Sequence, residues 1–317
     1  MLIVTDLSTE RFAALAGLPL AAETGVDAAV PDILAGLLPA GAPRRILTGR
    51  DGGGWHALAV VEHATTSQYD ALLAAARGGA APPGPVAALA VTGDGFHGNR
   101  GRAWHAARGN LHLCCLAPVD LPAAEVAAAV PAAPAVAVCD AIAPLCHGSP
   151  RIKWVNDVLL AGAKTAGVLS AALSRGGRLT AVVYGIGINV AVAPVVPPTV
   201  FVPRVTSLAD HAASGSAGDL GAVTGALLRA LGRRVEQIRC GDAAAVVQAY
   251  RDRCGDVGRR VSVWPEGLPD AASRDDLPPP LARGRVTGLT ETLALRVEGC
   301  PDPLPGGRLA HDDPGEP

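Results

Sequence analysis

Only two lysines occur in this 317-residue chain, against twenty-five arginines. They stand close together, in Arg151-Ile152-Lys153-Trp154-Val155-Asn156-Asp157 and Gly162-Ala163-Lys164-Thr165-Ala166-Gly167. A composition that otherwise favours Arg, Ala, Gly and Pro retains lysine where a guanidinium is a poor substitute. An ammonium is a compact charge on a flexible stem and a guanidinium a planar fork, so the two differ at a crowded phosphate or carboxylate. A second cationic group lies upstream in Arg100-Gly101-Arg102-Ala103-Trp104, where two arginines share a glycine-jointed backbone beside a large flat ring. Such a set suits a polyanionic ligand that must be neutralised and then covered.

The elements that must hold these groups can be read from pattern. A strand is expected over 56–61, then Thr65-Thr66-Ser67 as a helix cap and a helix over 68–77. Strands follow over 86–91 and 111–116. Between them 93–110 is polar, glycine-rich and aperiodic, and a loop of that length inside a domain is more often functional than filler. Alanine-rich helices are expected over 122–130 and 135–145, separated by Pro131 and Pro134. Strand 151–154 leads through the turn Val155-Asn156-Asp157 to strands 158–160, 165–172 and 179–188, joined by glycine-rich hairpins. Helices are expected over 219–238 and 242–254. Residues 1–50, broken by Pro19, Pro31, Pro39 and Pro43, read as an irregular lead-in with one or two short helices. This gives a main domain over 51–256. Short strand-like runs at 261–264, 284–288 and 293–297 define a small all-β module over 257–311, with a frayed tail from Asp312.

Several classes of function are excluded. The net charge of −2 offers no basic field for nucleic acid. Residues 1–50 are also too short and too often interrupted for a winged helix. The longest uncharged stretch, 179–203, could span a bilayer by length, but Asn189, Pro194, Pro197 and Pro198 interrupt it, so no membrane segment is expected. The start Met1-Leu2-Ile3-Val4-Thr5-Asp6 shows no basic leader, which favours the cytoplasm. Seven cysteines with no Cys-x-x-Cys pair read as reduced, mostly buried thiols, and adjacent Cys114 and Cys115 should face opposite sides of a strand. Gly93-Asp94-Gly95-Phe96-His97-Gly98 has the spacing of a dinucleotide fingerprint, but no amphipathic helix follows it. His97, His105 and His112 have no metal-like pairing.

Five motifs occur in order: Arg100-Gly101-Arg102-x-Trp104, Gly109-Asn110-Leu111, Lys153-Trp154-x-Asn156-Asp157, Lys164-x-x-Gly167-Val168-Leu169 and Gly185-Ile186-Gly187-Ile188-Asn189-Val190. In these the chain resembles the biotin protein ligases of the biotin/lipoate ligase superfamily. Thr65-Thr66-Ser67-Gln68 and Thr206-Ser207-Leu208 resemble two further short motifs. The resemblance covers about 60–210. It implies an α+β fold, a mixed β-sheet flanked by helices, with a small C-terminal SH3-like β-barrel. It implies ATP-dependent activation of a carboxylic acid, foremost biotin, as an acyl-adenylate, and transfer to a lysine of a carrier protein domain. ATP and Mg2+ are the implied cofactors, and a homodimer is left open.

The same resemblance assigns roles. Lys164 would sit by the acid carboxylate and the α-phosphate, and Lys153 by the phosphates. Asn156 and Asp157 would orient phosphate or magnesium, with Asp157 as the metal ligand. Arg100 and Arg102 would close over the intermediate, with Trp104 packed against it. Thr65, Thr66 and Gln68 would face the acid's head group, with Gly167 also on the substrate side. Gly185, Gly187 and Asn189 would form the floor near the nucleotide, where glycine permits close backbone approach. The chain departs from the family at His97 and Asn99, where arginines are usual, at Val155 in place of proline, and at Ser67 in place of asparagine. These changes fall on the acid side, so lipoate, octanoate or another acid is an alternative substrate. A binding protein without turnover is a second alternative, opposed by the retained lysines.

Overall fold

The computed structural model describes residues 1–8, 10–12, 20–23, 32–39, 41, 45–49, 53–213 and 218–312. Ten strands form one sheet: β1 (Leu2–Thr5), β2 (Leu20–Glu23), β3 (Arg45–Gly49), β4 (Ala57–Ala64), β5 (Val86–Gly93), β6 (Leu111–Pro122), β7 (Arg151–Lys153), β8 (Asp157–Leu160), β9 (Ala163–Arg175) and β10 (Arg178–Ile188). Their order is β2-β3-β1-β4-β5-β6-β10-β9-β8-β7. β4 pairs parallel with β1 and with β5, and the other neighbours run antiparallel.

The central strands are apolar on both faces because both are covered, which produces continuous apolar runs instead of alternation. Leu58 and Val60 of β4 join one core cluster, whereas Ala57, Ala59 and Val61 join the other. Cys114 and Cys115 divide in the same way, on opposite faces as expected. Helix α1 (Gln68–Arg77) covers the second face, capped by Ser67, whose hydroxyl accepts from the Asp70 amide. The first face carries α2 (Ala129–Ile142), α3 (Leu220–Arg239) and α4 (Ala243–Arg253). Asp140 of α2 ties the three together by accepting from Arg234 of α3 at 3.1 Å and Arg253 of α4 at 2.6 Å.

Pro131 and Pro134 lie inside α2 and do not separate two helices. Pro131 occupies the first turn, where an amide has no intrahelical partner. Pro134 lies in the interior at a cost of about 3 kcal/mol, offset by near-complete burial of the helix between the sheet and its neighbours. The run 123–142 is apolar and long enough to cross a bilayer, but 72% of its most apolar window is buried inside the protein.

The N-terminal region holds a short helix at Asp32–Ala35, as expected, but is otherwise not the irregular lead-in expected of it. β1 and β3 pair with each other and β1 docks on β4, so this region extends the main sheet. The C-terminal module is a separate antiparallel sheet of β11 (Arg260–Trp264), β12 (Ala282–Leu289), β13 (Leu295–Val297) and β14 (Arg308–His311), in the order β13-β12-β11-β14, in keeping with an SH3-like barrel. Asp312 is anchored where a fraying tail was expected, accepting from Ser262 at 2.8 Å and Arg274 at 2.6 Å. The remainder of that tail, 313–317, lies outside the described residues.

Buried Asp256 fastens the module to the main domain. It accepts from the Trp154 amide at 2.7 Å and from His311 Nε2 at 2.7 Å. The Trp154 indole donates to the Leu293 carbonyl at 2.9 Å. The module is thereby held over the β7–β8 turn.

Candidate active site

One cross-strand row builds the site. Lys153 pairs with Asp157, Asp157 with Gly167, Gly167 with Gly187, and Gly187 with His112. Residues paired across a sheet project from the same face. The row therefore sets a cation, a carboxylate, two bare glycines and an imidazole side by side.

Lys164 would face away from this row if β9 were regular, since it is three residues from Gly167. The register shift between Val158 and Leu159 opposes Val158 to Ala166 and Leu159 to Lys164, leaving Thr165 as the extra residue of a bulge. The bulge returns Lys164 to the face of Asp157, and their charged groups meet at 2.7 Å. Burial alone would raise the Asp157 pKa, but Lys164, Lys153 and Arg102 outweigh it and hold the carboxyl below its usual range. Lys153 is buried at the end of β7 and donates to the Phe201 carbonyl. Burial lowers its pKa, against the opposing pull of Asp157 and Asp256. Asn156 donates to the Val168 carbonyl at 2.9 Å. The Trp154–Val155 peptide is cis.

Trp104 lies on the bare glycines. A Cβ on Gly187 would come 2.3 Å from the indole Cε2, and one on Gly167 would come 3.4 Å from Cζ3. The indole Nε1 donates to His112 Nδ1 at 3.3 Å, while His112 Nε2 donates to the Ala107 carbonyl at 3.2 Å. Those two partners require the neutral Nε2–H tautomer, in keeping with burial, which lowers the His112 pKa to about 4. Lys164 Nζ stands 6.0 Å from the indole centroid.

The polar segment 93–110 is an ordered hairpin at its centre. His97 and Ala103 form a bridge, Trp104 N donates to the Phe96 carbonyl at 3.0 Å, and Asn99–Gly101 makes the tip. Arg100 has φ 59° and Gly101 φ 73° in this tip. His97 fastens the hairpin to α1 through Asp70 at 2.8 Å. Arg102 is half-buried, and burial and the nearby Arg308 lower its pKa.

Two compartments meet at this row. The larger, about 460 Å³, lies between the main sheet and the C-terminal module. The smaller, about 100 Å³, lies against α1. Arg102, Trp104, Asn156, Asp157 and Lys164 line both. Lys153 and Asn189 line only the larger one. Gln68, Gly167, Gly185 and Gly187 line only the smaller one. The two β10 glycines thus floor the smaller compartment and do not line the larger one.

Gln68 is buried with both side-chain polar atoms unpartnered, and Asn189 Oδ1 is likewise unpartnered. Buried polar groups normally find a partner, so both are open to a ligand. Thr65 and Thr66 are exposed and line neither compartment. The cap residue Ser67 lines the smaller one in their place. Arg100 also lines neither, and it pairs with Glu266 of the C-terminal module at 2.7 Å.

Sequence reading missed His112, although its strand and the nearby tryptophan could have suggested it. Glu266, Asp270 and Arg308 of the module line the larger compartment, far beyond the last motif, Thr206-Ser207-Leu208. Nothing local in sequence marks them.

Residues 84–189 match the biotin/lipoate A/B protein ligase family. The chain is 35% identical over 217 residues to the biotin--[acetyl-CoA-carboxylase] ligase of Mycobacterium tuberculosis, covering 67% of this chain and 76% of that protein. It is 41% identical over 100 residues to the ligase of the same name from Paracoccus denitrificans, a match that spans 31% of this chain and 41% of that protein. Among solved structures, the biotin protein ligase from Aquifex aeolicus in complex with biotin and ATP aligns with TM-score 0.60 at 19% identity, covering 81% of this chain and 99% of that one. The fold is therefore the ligase fold of the biotin/lipoate superfamily. The chain itself belongs to the biotin protein ligases.

Proposed function

We propose that the protein activates biotin with ATP and transfers the biotinyl group to a lysine of a carboxyl carrier domain. The observation that carries this reading is the junction of the two compartments at Lys164, Asp157 and Arg102. An acid seated against α1 and a nucleotide seated beneath the C-terminal module would bring carboxylate and α-phosphate together there.

The obstacle to the first step is charge, since a carboxylate must approach a polyanion. Lys164 and Arg102 neutralise both partners at the junction, and Lys153 neutralises the phosphates from the larger side. A carboxylate oxygen then bonds to the α-phosphorus, the bond from that phosphorus to the bridging oxygen breaks, and pyrophosphate leaves. In the second step the acceptor amine attacks the acyl carbon and AMP departs. Trp104 walls the mixed anhydride from water, and Gln68 supplies a donor and an acceptor to the acid's head group.

Magnesium, if carried in with ATP, would supply charge neutralisation at the phosphates. Asp157 is the carboxylate at the junction that would hold it, and the neighbouring lysines keep that carboxyl ionised. A cytoplasmic setting, where ATP is available, suits this reading.

The test is pyrophosphate release by the purified protein with ATP, magnesium and a panel of acids, followed by transfer to a biotin carboxyl carrier domain. Release with biotin, and labelling of the carrier lysine, are expected. Release only with lipoate or octanoate would reassign the acid, and no release with any acid would overturn the reading.

A further inference from the structure

Within the biotin-activating reading, on which this inference rests, the smaller compartment is walled by three aromatic rings that each lie on a glycine. Trp104 lies on Gly187, as described above. Phe96 lies on Gly93, where a Cβ would come 2.5 Å from the ring Cζ. Tyr69 lies on Gly185, where a Cβ would come 3.1 Å from the ring Cδ2. All three side chains line the compartment.

Their places along the sheet differ. The strand order β5-β6-β10-β9 sets Gly93 three strand spacings from the strand of Lys164, about 14 Å. Gly187 of β10 and His112 of β6 stand between them, paired with each other. Trp104 covers this middle stretch and is tied to His112 by its indole N–H. Tyr69 lies to one side, since Gly185 is two residues from Gly187 along β10. Phe96 stands at the far end, edge to face with the His112 ring at a centroid distance of 5.6 Å. Gln68 opens α1 four residues beyond Ala64, the β4 partner of Gly93, so its unpartnered amide belongs to the same end.

An acid must place its carboxylate at the junction to react, so its length is taken up toward Phe96. The compartment measures about 100 Å³, below the range of about 300–1,000 Å³ usual for small-molecule pockets. An acid held there presses on every wall. Both nitrogens of His97 and of His112 are already engaged, so shape and not charge limits this end.

We propose that Phe96 is a specificity-determining residue: its ring closes the end of the acid compartment remote from Lys164 and sets the longest acid that can bring its carboxylate to the junction. Gln68 reads the polar head group, and Phe96 measures its distance from the reacting centre.

The test uses pyrophosphate release with biotin and with homologues whose tail is one or two methylenes longer. In a fitted apolar pocket one methylene is worth about tenfold or more in kcat/KM. The unmodified protein should therefore use the longer homologues about tenfold or more less well than biotin, and Phe96→Ala should close most of that gap. KM for ATP should stay within about twofold, because Phe96 does not line the larger compartment. An equal loss with every acid would make the ring mere packing for the hairpin and overturn the proposal. Unchanged ratios between acids, or an unmodified protein that already takes the longer homologues as well as biotin, would also overturn it. Phe96→Leu keeps an apolar side chain on Gly93 and removes part of the ring, so it serves if the alanine variant does not fold. A smaller shift in the same direction supports the proposal, and none sinks it. Failure of the underlying reading is distinguishable, because the unmodified protein would then release no pyrophosphate with biotin or any homologue.

Discussion

Trp104 and Gly187 fit together only because residue 187 has no side chain: a Cβ there would lie 2.3 Å from the indole Cε2. Gly187→Ala must push the ring off the sheet and break its bond to His112. Overpacking of this kind costs about 1–3 kcal/mol. Pyrophosphate exchange is expected to fall about tenfold or more, with far-UV circular dichroism unchanged. Gly167→Ala meets the ring at 3.4 Å and Lys164 Cε at 3.5 Å, near-ordinary contact, and should have a much smaller effect. A Gly187→Ala protein with normal exchange would show that the indole is not a seated wall.

Lys164→Gln should abolish most activation. Removing one preorganised electrostatic donor from a site of this type costs about 10²–10³ in rate. The fold should survive, because Lys153 and Arg102 still act on Asp157. Lys164→Arg should not restore the rate, since the fork cannot take the place of a compact ammonium 2.7 Å from Asp157. Single-turnover formation of the adenylate measures both variants, and substantial recovery with arginine would contradict the reading.

Acid stability should carry a signature of His112. Its folded pKa, about 4, lies below its unfolded value of 6.5 because of burial. Between these values the unfolded chain binds a proton that the folded chain refuses. Stability from this group is therefore complete above pH 6.5 and lost as pH falls to 4, by about 3 kcal/mol in all. His97 shifts the opposite way, raised by its bond to the Gly98 carbonyl and by Asp70, so its contribution declines as pH rises. The comparison is thus made between the unmodified protein and His112→Gln, with His97 intact in both. Urea midpoints measured from pH 7 to 4 should fall less in the variant. Parallel curves would rule out His112 as the source.

Strands β4 to β10 were legible as apolar runs, several of them bounded by glycine or proline, and the helix after β4 announced itself by its cap, whereas β1 to β3 lie in the stretch read as an irregular lead-in. Both lysines and the arginine loop were legible as chemistry. Three further features were not. Pro131 and Pro134 are local breakers overridden by burial of α2. The return of Lys164 to the working face depends on a bulge at Thr165, which follows from pairing with β8 and leaves no mark in β9 alone. Arg308, Glu266 and Asp270 reach the site only when the C-terminal module docks through Asp256, and that contact joins residues far apart in sequence.

Lys153 separates function from stability. Burial lowers its pKa relative to the unfolded chain, and the attraction of Asp157 and Asp256 does not fully offset this. Between the folded and unfolded pKa values the unfolded chain holds more protons, so this group's share of stability rises with pH there and is least favourable below the folded pKa. Retaining the charge under working conditions is therefore a net burden on folding. Lys153→Met fills similar volume without a buried charge, and replacements of this kind are often neutral or stabilising. The Phe201 carbonyl loses its donor, a loss of about 1 kcal/mol that the relieved desolvation should match or exceed. The variant is expected to unfold at an equal or higher urea concentration, while KM for ATP rises about tenfold or more. A lower midpoint together with an unchanged KM would make Lys153 a strut for the Phe201 segment, with no part in holding phosphate.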